Sequence, residues 1–110
     1  MDVNISSRHM SLTPKLEEAV YAKIGNLDRY LYGLNIAEVH FDEARNPRIS
    51  DREICEITLS GHGHRLHCKV AAPDPFSALD IAEAKLERQI RKLRTKLQKR
   101  YHGSGQTIRG

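Results

Sequence analysis

The sequence predicts an α+β domain of order β-α-β-β-β-α, a four-stranded mixed sheet with two helices packed on one face. Three observations predict it. Short stretches alternate apolar and polar residues, two longer stretches repeat apolar residues every three to four positions, and Pro-, Gly- and Asn-bearing breaks separate them. At 110 residues the chain is one domain, long enough to bury a real core. Residues 1–100 are expected to form it, with 101–110 as a flexible, glycine-bearing tail.

Each element has its own signal. From Asp2 to Ser7, Val3 and Ile5 face one way, which marks a short strand. Thr13-Pro14 reads as a helix cap followed by proline at the first helical position, with Glu17 and Glu18 near the positive end of the helix dipole. Leu16, Val20, Ile24, Leu27 and Leu31 carry that helix from Pro14 to Leu31, and Gly33 ends it. Ala37, Val39 and Phe41 alternate with Glu38, His40 and Asp42 in a half-buried strand over Ile36 to Ala44. Arg45-Asn46-Pro47 breaks it, and the next strand is read from Ile49 to Ser60. Gly61-His62-Gly63 turns the chain into a last strand with Leu66, Cys68 and Val70 inward, making a hairpin. Asp74 then caps a final helix, whose apolar stripe is Leu79, Ala82, Leu86, Ile90, Leu93 and Leu97 and which is expected to end near Arg100. The first two strands flank a helix, so a crossover would make them parallel; the next three form an antiparallel meander.

Charge is concentrated on the last helix. Eight of the eighteen basic residues fall between Lys85 and Arg100, against one acid, Glu87. The other 94 residues sum to −3, so the net +4 is a local footprint. On a helical wheel Lys85, Arg88, Lys92, Lys96 and Lys99 stand roughly opposite the leucine and isoleucine stripe, while Asp80, Glu83 and Glu87 occupy the remaining flank. Such a face can be an ordinary solvated one, held by acid–base pairs. A single acid in the window cannot offset eight cations, and the natural counterpart is a polyanion, RNA or DNA.

Other chemistry finds little support. Gly-rich phosphate loops, Gly-x-Ser-x-Gly and HExxH are absent, so no enzyme is expected. His62, His64, His67 and Cys68 resemble metal ligands, but strand alternation turns His67 away from His64 and Cys68, and zinc wants four converging ligands. No metal or cofactor is expected. Cys55 and Cys68 sit in alternating apolar stretches and read as buried free thiols, which fits a reducing cytoplasm. No apolar run approaches the roughly 20 residues that span a bilayer, and MDVNISSRHM lacks the pattern of a secretory signal.

Several segments together resemble a known family. Asn4-Ile5, Arg8-His9 and Leu12-Thr13-Pro14 look like its opening strand and first cap; Leu16, Tyr21, Lys23, Leu27 and Tyr30 are similar to its first helix. The specific part is Phe76-Ser77-Ala78-Leu79-Asp80 followed by Lys85-Leu86-Glu87-Arg88-Gln89-Ile90-Arg91-Lys92. The family is that of the ribosome hibernation promoting factors, also called ribosome-associated inhibitor or sigma-54 modulation proteins. The resemblance covers about residues 1–97 and looks like a short form, without the dimerisation domain of longer members.

The resemblance implies a cytoplasmic protein, monomeric off the ribosome, that binds the small ribosomal subunit between head and body. There it takes the places of messenger and transfer RNA near the decoding centre, stops translation and preserves idle ribosomes, often as dimers. A separate ribosome modulation factor is a further implied partner. The expected RNA contacts are Lys23, Arg29, Lys85, Arg88, Arg91, Lys92, Lys96 and Lys99, with Arg8 and His9 as lesser candidates. They would hold phosphate and ribose rather than read bases. Tyr30 and Tyr32 are read as packing at the helix end, not as stacking platforms. Asn26 stands where the family commonly has lysine, Glu43 where it has an apolar residue, and the weakly basic tail differs from the acidic tail of inhibitor-type members. Two other readings fit the basic helix: a general double-stranded RNA binder, and a protein-interaction module for an acidic partner.

Overall fold

A computed structural model describes residues 1–27 and 33–97 in full, and residues 98–109 by backbone alone. It contains β1 (Asp2–Arg8), α1 (Pro14–Leu27), β2 (Ile36–Glu43), β3 (Glu53–Gly61), β4 (His64–Ala72) and α2 (Pro75–Arg109). The sheet order is β1-β2-β3-β4, with β1 parallel to β2 and the other neighbours antiparallel. The α+β architecture is the expected one.

Both helices start where their caps stand. Thr13 accepts the Leu16 amide on its hydroxyl at 3.2 Å and the Glu17 amide on its carbonyl at 3.0 Å. Asp74 accepts the Ser77 amide at 2.9 Å and the Ser77 hydroxyl at 2.7 Å. Strand alternation sends Ala37, Val39, Phe41, Cys55, Ile57, Leu59, Cys68 and Val70 to one face, where they bury against Leu16, Val20, Ile24 and Leu27 of α1 and Leu79, Leu86 and Ile90 of α2. The opposite face is polar. Its rows run Asn4, Glu38, Thr58, His67 and Ser6, His40, Glu56, Lys69 across the four strands.

Both cysteines are buried free thiols on the inner face. Burial pushes the Cys55 thiol up to about 12 and raises that of Cys68. Cys55 stands opposite Val70 and Cys68 opposite Ile57, so the two are diagonal neighbours. The hairpin between β3 and β4 turns on His62 and Gly63, both at positive φ (50° and 78°), as a two-residue turn requires. Gly61 has a different constraint: a Cβ there would lie 2.3 Å from the Gly33 carbonyl oxygen and 2.7 Å from the Asn35 amide nitrogen. The hairpin therefore seats directly on the segment that leads into β2.

Two boundaries differ from the sequence reading by more than one residue. β3 begins at Glu53 rather than Ile49, because β2 ends at Glu43 and offers no partner beyond the Glu43–Glu53 pair. Asn46 instead folds residues 46–49 into a turn, accepting the Arg48 amide on its side chain at 3.0 Å and the Ile49 amide on its carbonyl at 3.2 Å; Ile49 is left exposed. The backbone of α2 continues to Arg109, through the segment expected as a tail from residue 101. Gly103 and Gly105 each cost a helix about 1 kcal/mol but do not remove its hydrogen bonds as proline does. The expected end of α1 at Leu31 lies outside the described residues.

The inner face carries one anomaly, at the end where α2 begins. Glu43 and Glu53 are cross-strand partners, and Glu53 Oε2 is buried without a hydrogen-bond partner. Burial first, then the neighbouring Glu43, raises the Glu53 carboxyl above the usual carboxylate range; a proton shared by the pair would supply the missing bond. A raised folded-state value means that the folded chain holds this proton more tightly than the unfolded chain. The associated stability is complete below the unfolded value and is lost as pH rises through the folded one. Glu53→Gln is therefore expected to raise the melting temperature near pH 7 and to change it little near pH 4, as thermal unfolding at the two pH values will show.

Candidate nucleic-acid interface

α2 is much longer than the sheet. Its 35 residues extend roughly 50 Å at 1.5 Å per residue, and the molecule measures 61 × 28 × 18 Å. Leu79, Ala82, Leu86 and Ile90 are buried, whereas Leu93 and Leu97, expected in the same stripe, are only half-buried. The helix starts beside the β2–β3 loop, runs antiparallel to β4 and leaves the sheet after Ile90. Two contacts set its course. The Cys68 thiol donates to the Ala82 carbonyl at 3.6 Å, and the Gln89 amide donates to the His67 carbonyl on β4 at 2.9 Å.

With the apolar stripe committed to the sheet, the cations must face outward. Lys85, Arg88, Arg91, Lys92, Arg94 and Lys96 are all exposed. Arg91 pairs with Glu87 at 2.7 Å. Among the described residues, no ion pair engages Lys85, Arg88, Lys92, Arg94 or Lys96. Ala84, Glu87, Arg88 and Arg91 line a shallow surface groove, with the Glu87 carboxylate among its walls.

The other two acids of α2, Asp80 and Glu83, lie at the seam with α1. Lys23 of α1 reaches Asp80 at 2.8 Å and Glu83 at 3.5 Å. The Asp80 hydrogen bond, then the charge of Glu83, raises the Lys23 ammonium above its ordinary value. Lys23 thus stands at the α1–α2 seam rather than as a free cation. By occupying these two carboxylates it leaves Glu87 as the one described acid of α2 beside its cations. Exposed pairs of this kind contribute little stability, about 0–1 kcal/mol, so their consequence is electrostatic.

The structure brings Lys85, Arg88, Arg91, Lys92 and Lys96 together on one helix. Arg29, Tyr30, Tyr32 and the side chain of Lys99 lie outside the described residues. Arg94 belongs with the exposed cations although the sequence reading left it off the contact list; its place in the Lys85–Arg100 run was the available signal. Gln89 was missed as well. A polar residue at the border of an apolar stripe is the sign of a tie to a neighbouring strand edge.

The histidines of the hairpin do not converge. The His62 ring packs over Gly33, and His67 faces Glu56 at 2.8 Å on the open face of the sheet, holding that carboxyl below its usual range. Among the described residues, no group of three or more His, Cys, Asp or Glu side chains could hold a metal ion, and no helix is long and apolar enough to cross a membrane.

Comparison with known proteins adds ancestry to this geometry. Residues 3–98 match the family described as "Sigma 54 modulation protein / S30EA ribosomal protein". The chain is 34% identical over 106 residues to the ribosome hibernation promotion factor of Bacillus subtilis, covering 96% of this chain and 54% of that protein. It is 28% identical over 109 residues to the ribosome hibernation promoting factor of Pseudomonas putida, covering 94% of this chain and 97% of that protein. It therefore spans about half the length of the Bacillus relative and nearly all of the Pseudomonas one. The crystal structure of the Protein Y N-terminal domain from Thermus thermophilus superposes with a TM-score of 0.72 at 23% identity, covering 84% of this chain and 99% of that one, and shares its fold.

Proposed function

Because this chain belongs to the sigma 54 modulation protein / S30EA ribosomal protein family, we propose that it is a ribosome hibernation factor that seats the free cationic face of α2 on rRNA of the small subunit. The observation that carries the reading is the row of Lys85, Arg88, Lys92 and Lys96, exposed and, among the described residues, without an ion pair, on a helix held to the sheet by its opposite face. Relatives named ribosome hibernation promotion factor support the setting.

The mechanism is steering followed by occlusion. The local positive field draws the chain toward nucleotide backbone, where lysine and arginine replace condensed counterions. The folded body, backed by a rigid sheet, then fills the cleft near the decoding centre and denies it to messenger and transfer RNA. Recognition is of phosphate and ribose in a preformed shape, so no base-reading side chains are needed. The role is one of binding in the cytoplasm and requires no catalysis.

Binding of the purified chain to isolated small subunits tests this. With four phosphates neutralised, affinity is expected to fall by about two orders of magnitude between roughly 50 and 200 mM salt. Excess duplex RNA of arbitrary sequence should compete poorly. A flat salt response would mean apolar docking, and equal competition by any duplex would make the chain a general double-stranded RNA binder.

A further inference from the structure

We propose that His9 is a proton-operated latch on the β2–β3 loop. Neutral, it holds Arg45 against the end of the sheet; protonated, it releases the loop tip, residues 45–51, and sets the Arg45 guanidinium free in solvent. His9 follows β1 with φ 62°, a left-handed conformation uncommon outside glycine. That backbone places the ring between two charged groups. Its Nδ1 lies 3.0 Å from Asp42 Oδ1, and its Nε2 lies 2.7 Å from Arg45 Nη2.

Hydrogen-bond direction decides the protonation state. A guanidinium can only donate, so His9 Nε2 must be an unprotonated acceptor. The ring's single proton then sits on Nδ1 and is donated to the Asp42 carboxylate. This one tautomer of the neutral ring satisfies both partners. A second proton, on Nε2, would set donor against donor and cation against cation, and the Arg45 contact would be lost.

The charged groups around the ring pull in opposite directions. Asp42 on β2 favours the imidazolium; its carboxyl is held below the usual range first by the His9 hydrogen bond, and it also accepts the Glu43 amide at 2.8 Å. Arg45 on the loop opposes it, while Arg8 at the end of β1 helps to lower the Asp42 carboxyl. The His9 side chain is 30% exposed, so protons have access.

The loop is built so that losing this contact matters. Its base is closed by the Ala44 amide donating to the Arg52 carbonyl at 2.8 Å and by Arg52 donating to the Ala44 carbonyl at 3.2 Å. The tip has its own Asn46 turn. Among the described residues, the Arg45–His9 bond is the side-chain hydrogen bond that ties the tip to the rest of the domain.

Amide hydrogen exchange of the full chain, corrected for the intrinsic pH dependence of exchange, tests the latch. Residues 45–51 are expected to lose protection by about tenfold between about pH 8 and pH 5. His9→Asn keeps a residue that tolerates the left-handed backbone but cannot titrate; in it that pH dependence should vanish. Nitrogen NMR of the wild-type ring near pH 8 should show the Nδ1–H tautomer. Unchanged protection of the tip across this range, the same pH dependence in His9→Asn, or the Nε2–H tautomer would each overturn the proposal.

Discussion

Replacing Arg88 and Lys92 together by glutamate is expected to weaken binding to the small subunit by at least ~100-fold, since each charge-assisted contact is worth about 1.5–3 kcal/mol. Both side chains are exposed on the outer face of α2, and among the described residues neither has an ion pair. Each reversal removes one favourable contact and adds a repulsive charge facing phosphate. The fold should not suffer. Substitutions at exposed sites without partners usually change stability by no more than about 0.5 kcal/mol. Co-sedimentation with small subunits, alongside a melting curve of the same variant, checks both halves. Undiminished co-sedimentation of a folded variant would remove α2 from the interface.

Phe41→Ala is expected to have the largest effect on the fold itself. Phe41 lies on β2, an inner strand, opposite Ser7 of β1 and Cys55 of β3, and is fully buried. Truncating a buried phenylalanine typically costs about 3–5 kcal/mol through lost transfer energy and the cavity left behind. Domains of this size have only about 5–15 kcal/mol in total. The melting temperature should therefore fall by about 12 °C or more, at 4–8 °C per kcal/mol. A change of only a few degrees would mean that the two helices do not close over β2 as described. The variant should lose subunit binding only as it unfolds, which separates it from the charge reversal.

Local signals foretold most of this architecture. Apolar spacing placed α2 and its basic face, because a helix that buries one stripe must expose the other. The caps at Thr13 and Asp74 and the glycine hairpin were equally legible, since each depends on a few adjacent residues. What escaped depended on partners distant in the chain. Lys23 reads as a free cation on a helical wheel of α1; only the packing of α1 on α2 brings it to Asp80 and Glu83. Ile49 has the composition of a strand residue, but β2 ends before it could pair. Glu43 and Glu53 stand ten residues apart in sequence, yet the antiparallel register makes them neighbours on an apolar face. The His9–Arg45 contact likewise joins two loops that alternation rules do not address.

The most direct measurement is hydroxyl-radical cleavage of small-subunit rRNA by a probe tethered to the chain. The native thiols Cys55 and Cys68 are buried, and Cys55 is pushed up to about 12, so an introduced thiol can be labelled selectively. Thr95→Cys places the probe among the cations of α2 without removing one, and Ala71→Cys places it on the open face of the sheet. A helix lying on rRNA predicts strong, clustered cuts around the decoding region from position 95 and markedly weaker ones from position 71. Equal or stronger cleavage from position 71, or cuts from position 95 scattered without a centre, would contradict it.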